Sequence, residues 1–159
     1  MIKMYYKSQM IQGYLLLFIG VLSSILPIYF IFFQTSSFYF GAALIFLIFG
    51  VYQIFLGIFH GLKADVEIEK VKKQIEKNTI KEGEIFLIEK YLKLNTWYIF
   101  IYSTLIIIAT VCIFGFPQMV FLRGLSISLF VHTTILITAQ FNVNQKRKIY
   151  FKWLNDFYN

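Results

Sequence analysis

Four stretches of this chain run for about the length of a bilayer crossing with almost no charged side chain: Ile11 to Phe33, Phe38 to Leu62, Trp97 to Phe116, and Met119 to Phe141, the last interrupted only by Arg123. Crossing about 30 Å of hydrocarbon takes about 20 apolar residues in a helix. With no water in the bilayer core, every backbone N–H and C=O has to be bonded within its own segment. The four stretches are therefore expected to be transmembrane helices, in an all-α integral membrane protein. A single apolar helix could be the core of a soluble domain. Four in a row exceed what 159 residues could hide from water, since 58% of the side chains are hydrophobic and only 14% charged, against about 25% charged in a soluble domain.

The basic residues set the orientation. Lys3 and Lys7 precede the first span, eight lysines from Lys63 to Lys93 lie between the second and third, and Lys146, Arg147, Lys148 and Lys152 follow the fourth. If the spans alternate, all of these fall on one side, and only Arg123 falls on the other, about a turn inside the fourth span, where it can snorkel outward. The positive-inside rule then makes both termini cytoplasmic. The expected location is the inner membrane of a bacterium, because the Ile, Phe, Lys, Tyr and Asn bias fits an AT-rich genome, although an organelle fits that bias too. The first span is too long for a signal-peptide core and lacks a small-x-small cleavage pattern, so it reads as an uncleaved anchor. Outside the membrane only short turns remain, Gln34 to Ser37 and around Pro117, which argues against a receptor for a large external ligand.

Five segments follow: a cytoplasmic start (1–10), a transmembrane hairpin (11–62), a charged cytoplasmic segment (63–96), a second transmembrane hairpin (97–141) and a basic, aromatic tail (142–159). In the charged segment Ala64, Ile68, Val71 and Ile75 recur at spacings of four, three and four, one face of a helix continuing from the second span. Thr79 and Glu82 have the spacing of a capping box opening a second helix, whose apolar side is Ile85, Ile88 and Leu92. The two are expected to form an antiparallel helical hairpin. Phe86, Leu87 and Tyr91 are more apolar surface than one two-helix seam can bury, so they are candidates for docking a neighbouring subunit or a cytoplasmic or membrane protein partner. Eight lysines against seven acids in this segment argue against nucleic acid as the partner. In the tail, Lys146, Arg147, Lys148 and Trp153 interleave basic and aromatic side chains directly after a span, the pattern of a helix on an anionic lipid surface; simple stop-transfer charge is the plainer reading.

Polar residues within the spans say most about mechanism. Gly20 in the first span and Gly50, Gly57 and Gly61 in the second belong to stripes of small residues that let helices approach closely, with Gly57 and Gly61 making a GxxxG step. They fit a contact between the first two helices or one between subunits. Gln53 and His132 fall at similar depth by counting from the span ends, with Ser24, Thr104 and Thr133 near the same level. A polar layer at the midplane is expected. It could be interhelical hydrogen bonding, the lining of a water-filled path, or a proton-relay or ligand site.

Several chemistries lack their residues. There is no Gly-Lys-Ser/Thr phosphate loop and no His-Glu-x-x-His pair. One cysteine and two histidines cannot complete a zinc site, which usually takes three or four protein ligands. All eight carboxylates lie outside the spans. No cofactor, metal or catalytic role is expected. The leading expectation is a homo-oligomeric channel-like or membrane-permeabilising protein, the membrane effector of a bacterial stress or defence system, gated through the cytoplasmic hairpin. The alternative is a non-catalytic accessory subunit of a larger membrane complex, or an immunity-type protein that binds a partner.

Overall fold

Each apolar stretch becomes one end of a much longer helix. In the computed structural model, which describes residues 2–76 and 81–158, the order is α1 (Ile2–Phe33), α2 (Ser37–Glu76), α3 (Lys81–Gly115) and α4 (Val120–Tyr158); at 2, 3, 62, 63, 65, 68, 72, 74–76, 81–84, 157 and 158 only the backbone is described. There is no strand among the described residues. All four helices are long and apolar enough to cross a membrane. At about 1.5 Å per residue, the 40 residues of α2 and the 39 of α4 extend about 60 Å, twice the hydrocarbon thickness. The excess lies at one end, where the charged residues are, so the bundle continues beyond the apolar zone as a four-helix stalk.

The short turns at the opposite end are set locally. Ser36 opens α2: its Oγ accepts the N–H of Phe38 at 3.3 Å and its carbonyl accepts the N–H of Tyr39 at 3.1 Å, the bonding of a serine cap on otherwise orphaned donors. At the end of α3 the N–H of Phe116 still reaches the Cys112 carbonyl, and Pro117, with no N–H, stops the helix. Pro27 lies inside α1 without ending it.

α1 packs along α2, α2 along α4, and α4 along α3; α1 touches α4 slightly, and among the described residues α2 and α3 have no close backbone approach. α1 and α2 meet through glycine. A Cβ on Gly20 would stand 2.7 Å from the Ile54 nitrogen, and one on Gly57 would stand 2.6 Å from the Leu17 nitrogen, so the two backbones touch where side chains would hold them apart. α2 and α4 meet the same way, with Gly41 against the Phe121 carbonyl and Gly124 against that of Phe38.

The stalk has its own core: Tyr5 and Tyr6 from α1, Val71 from α2, Ile88 from α3, Tyr150 and Leu154 from α4. Two residues of the segment 63–96, Val71 and Ile88, belong to this core. Ala64, Val71 and Ile88 are buried as the periodicity requires, but the two ends of the chain supply much of the seam between them. The turn at Asn78 and Thr79 and the capping box with Glu82 lie outside the described residues.

Candidate functional site

Two polar layers are built into the bundle. The first is in the apolar zone, where Gln53 on α2 and His132 on α4, 0% and 1% exposed, meet with 3.2 Å between Gln53 Nε2 and His132 Nδ1. The imidazole lies between two rings, stacked on Phe49 at 5.5 Å and edge-on to Phe46 at 4.7 Å. Each partner keeps one buried polar atom without a bond, Gln53 Oε1 and His132 Nε2. Thr133 is buried beside them but spends its hydroxyl on its own helix, donating to the Leu129 carbonyl at 2.6 Å. Ser24 does the same on the Gly20 carbonyl at 2.9 Å. Thr104 is on the exposed face of α3, donating to Phe100 at 3.0 Å, so it stands apart from the pair. Below this layer an apolar cluster of Leu16, Tyr102 and Leu136 fills the interior.

The second layer sits where the apolar zone gives way to the stalk. Arg147 belongs to the segment whose composition suggests a membrane-surface helix, yet α4 continues straight through it and the side chain is 7% exposed. Its Nε–H donates to the Tyr5 hydroxyl at 3.2 Å, and an Nη1–H donates to the Tyr91 carbonyl at 3.3 Å. The guanidinium also lies over the Tyr91 ring, 5.1 Å from its centre, a favourable cation–π position. The Tyr5 hydroxyl also accepts from Gln9 at 2.6 Å, and its ring stacks on Tyr150 at 4.6 Å. No carboxylate lies within ion-pair distance of Arg147 among the described residues, where the one ion pair is Lys93 with Glu89 at 3.2 Å. Close by, Asn95 is 1% exposed and donates to the Gln140 carbonyl at 3.1 Å.

No protein family, no curated protein and no solved structure matches this chain. Its residues alone have to carry the functional reading.

The other predicted positions divide by exposure. Lys146 and Lys148 are exposed, with Lys146 donating to the Ser8 hydroxyl, and Trp153 is half-buried and stacks on Tyr150. Of the three docking candidates, Phe86 and Leu87 are exposed, at 67% and 39%, whereas Tyr91 turns inward to Arg147. Gly61 lies against Gly13, but a Cβ on Gly61 would meet nothing nearer than the Tyr14 ring at 3.9 Å. No group of three or more His, Cys, Asp or Glu comes together among the described residues.

Sequence reasoning missed the inward turn of Arg147 and the burial of Tyr5, Tyr6, Asn95, Tyr150 and Leu154. A signal for the residues of α4 was present. Ser126, Leu129, Thr133, Leu136, Gln140, Val143, Arg147, Tyr150 and Leu154 follow one another at alternating spacings of three and four. That is a single helix face, and each of its members is buried or half-buried.

Proposed function

We propose that this chain is a non-catalytic, multi-pass membrane subunit that acts by binding, with its stalk and both termini on the cytoplasmic side of a bacterial inner membrane. The observation that carries this is where the polar groups of the apolar zone go. Gln53 and His132 face each other inside one chain between two phenylalanine rings. The exposed threonine hydroxyls of the spans, those of Thr104, Thr134 and Thr138, are bonded to their own helices. A wet path through one copy, or between copies, needs polar groups left available along its whole length, as in known pores. The orientation rests on fourteen of the fifteen basic residues lying at the stalk end. A membrane subunit of this kind meets its partners through the exposed apolar faces of its spans and through the stalk, where Phe86 and Leu87 are uncovered.

Ion flux through liposomes holding the purified protein tests this against a conducting function. The expected result is no flux above protein-free liposomes at any applied voltage or pH, with Gln53→Leu and His132→Leu lowering only stability. A wild-type flux that either substitution changes overturns the proposal and restores a channel through the polar layer.

A further inference from the structure

Three cavities lie in series from Arg147, each sharing lining residues with the next, and together they are called the trench. The first, about 240 Å³, lies in the stalk and is lined by Tyr5, Tyr6, Lys70, Glu67, Tyr91 and Arg147 among others. The second, about 130 Å³, shares Phe59, His60, Tyr91 and Arg147 with it and reaches up to Tyr52 and Tyr98. The third, about 280 Å³, shares those two tyrosines and continues as an open apolar cleft between α2 and α3, walled by Ile48, Phe49, Ile101 and Leu105. It exists because the two helices stand apart there, tied across the gap by the hydroxyls of Tyr52 and Tyr102 at 3.3 Å. One end of the trench is thus cationic and the other is apolar and open sideways.

We infer that this trench holds one anionic phospholipid, with the phosphodiester on the Arg147 guanidinium and an acyl chain in the cleft between α2 and α3. Three observations converge. Arg147 is more than nine-tenths buried and uses two N–H groups on Tyr5 and Tyr91, which leaves three of the five guanidinium donors without a protein acceptor among the described residues. A buried cation is costly without a counter-charge, and a planar guanidinium fits phosphate oxygens in pairs. Among the described residues, Lys70 and Arg147 line this chamber with one carboxylate, Glu67. Depth agrees as well. Arg147 is about 22 Å along α4 from His132, which sits near the middle of its span; the headgroup zone of a bilayer about 40–45 Å thick ends at about that distance from the centre. The apolar cleft then runs from the half of the hydrocarbon nearest that headgroup to about the midplane, where Phe49 stacks on His132, on the path of its acyl chain. Basic chambers between helices at this level suit anionic headgroups. The inference goes beyond the proposal above and does not depend on it, because a conducting protein could hold the same lipid.

The test is native mass spectrometry of the delipidated protein in neutral detergent, titrated with phosphatidylglycerol, phosphatidylcholine and diacylglycerol of matched chains. The wild type is expected to retain one phosphatidylglycerol at least about tenfold more tightly than diacylglycerol, the order of one charge-assisted hydrogen bond, with phosphatidylcholine between them. Arg147→Gln, folded, is expected to bind the three alike, while Ile101→Trp, which fills the cleft, weakens all three and keeps their order. Neither inorganic phosphate nor glycerophosphoglycerol should displace the lipid. Equal retention of phosphatidylglycerol and diacylglycerol by the wild type overturns the inference, as does unchanged headgroup selectivity in Arg147→Gln. Displacement by millimolar phosphate also overturns it, since that would mark a soluble-anion site. Should Arg147→Gln not fold, the wild-type headgroup comparison decides alone.

Discussion

Gly57 and Gly61 form one GxxxG step, yet the structure separates their roles sharply enough to predict opposite outcomes for the same substitution. A methyl group on Gly57 would stand 2.6 Å from the Leu17 nitrogen and 2.7 Å from both the Gly13 oxygen and the Leu17 Cβ. Two of these are backbone atoms of α1, so no rotamer change relieves them. Ordinary contact begins at 3.4 Å, so α1 has to withdraw by about 0.8 Å, and neighbouring close contacts of the pair, at Gly13 and Gly20, loosen with it. Overpacking of this kind costs about 1–3 kcal/mol. Replacing glycine by alanine in a helix returns up to about 1 kcal/mol, so Gly57→Ala should destabilise by about 1–2 kcal/mol. Among the described residues Gly61→Ala meets only the Tyr14 ring at 3.9 Å and keeps the propensity gain, so it should be neutral or stabilising. Steric trapping or denaturation in mixed micelles measures both. If Gly61→Ala lost as much stability as Gly57→Ala, or Gly57→Ala lost none, the α1–α2 contact would not be the backbone-to-backbone one described.

Other substitutions test the interior. Gln53→Leu and His132→Leu should each lose stability by about 0.5–2 kcal/mol, and the double variant should lose less than their sum, because each single change breaks the same bond and strands the other partner; additive losses in a double-mutant cycle would sink the pairing. In the stalk, Leu154→Ala should cost about 2–5 kcal/mol as a buried leucine, whereas Phe86→Ala, on an exposed side chain, should stay within about 0.5 kcal/mol in the isolated protein. A loss at Phe86 equal to that at Leu154 would mean that the stalk packs on a different face.

The spans and their turns were legible because lipid imposes a demand on composition that no local preference can disguise. Ile11 to Phe33 and Phe38 to Leu62 anticipate the end of α1 and the start of α2 to within a residue. The meeting of Gln53 with His132 was legible as depth, since counting from the ends puts both at one level. What depth cannot convey is azimuth, and so Thr104, at a similar level, could not be told from its partners until the neighbours of α3 were known. The stalk was harder because charge marks a segment as wet without saying which of its faces is dry. Arg147 sits between Lys146 and Lys148, three cations in a row, of which helical geometry turns one inward and leaves two outside. The heptad spacing that links it to Tyr150 and Leu154 is visible only when the stripe is followed out of the apolar zone, across the boundary where composition suggests a new segment.

That stripe has a mechanical consequence. From Leu125 to Tyr158 α4 contains neither glycine nor proline, the usual points at which a helix bends. Between the guanidinium at one level and the imidazole at the other it is a single rod. One uninterrupted helix thus fixes how far apart the two polar layers stand, by the residues between them rather than by any contact across the bundle.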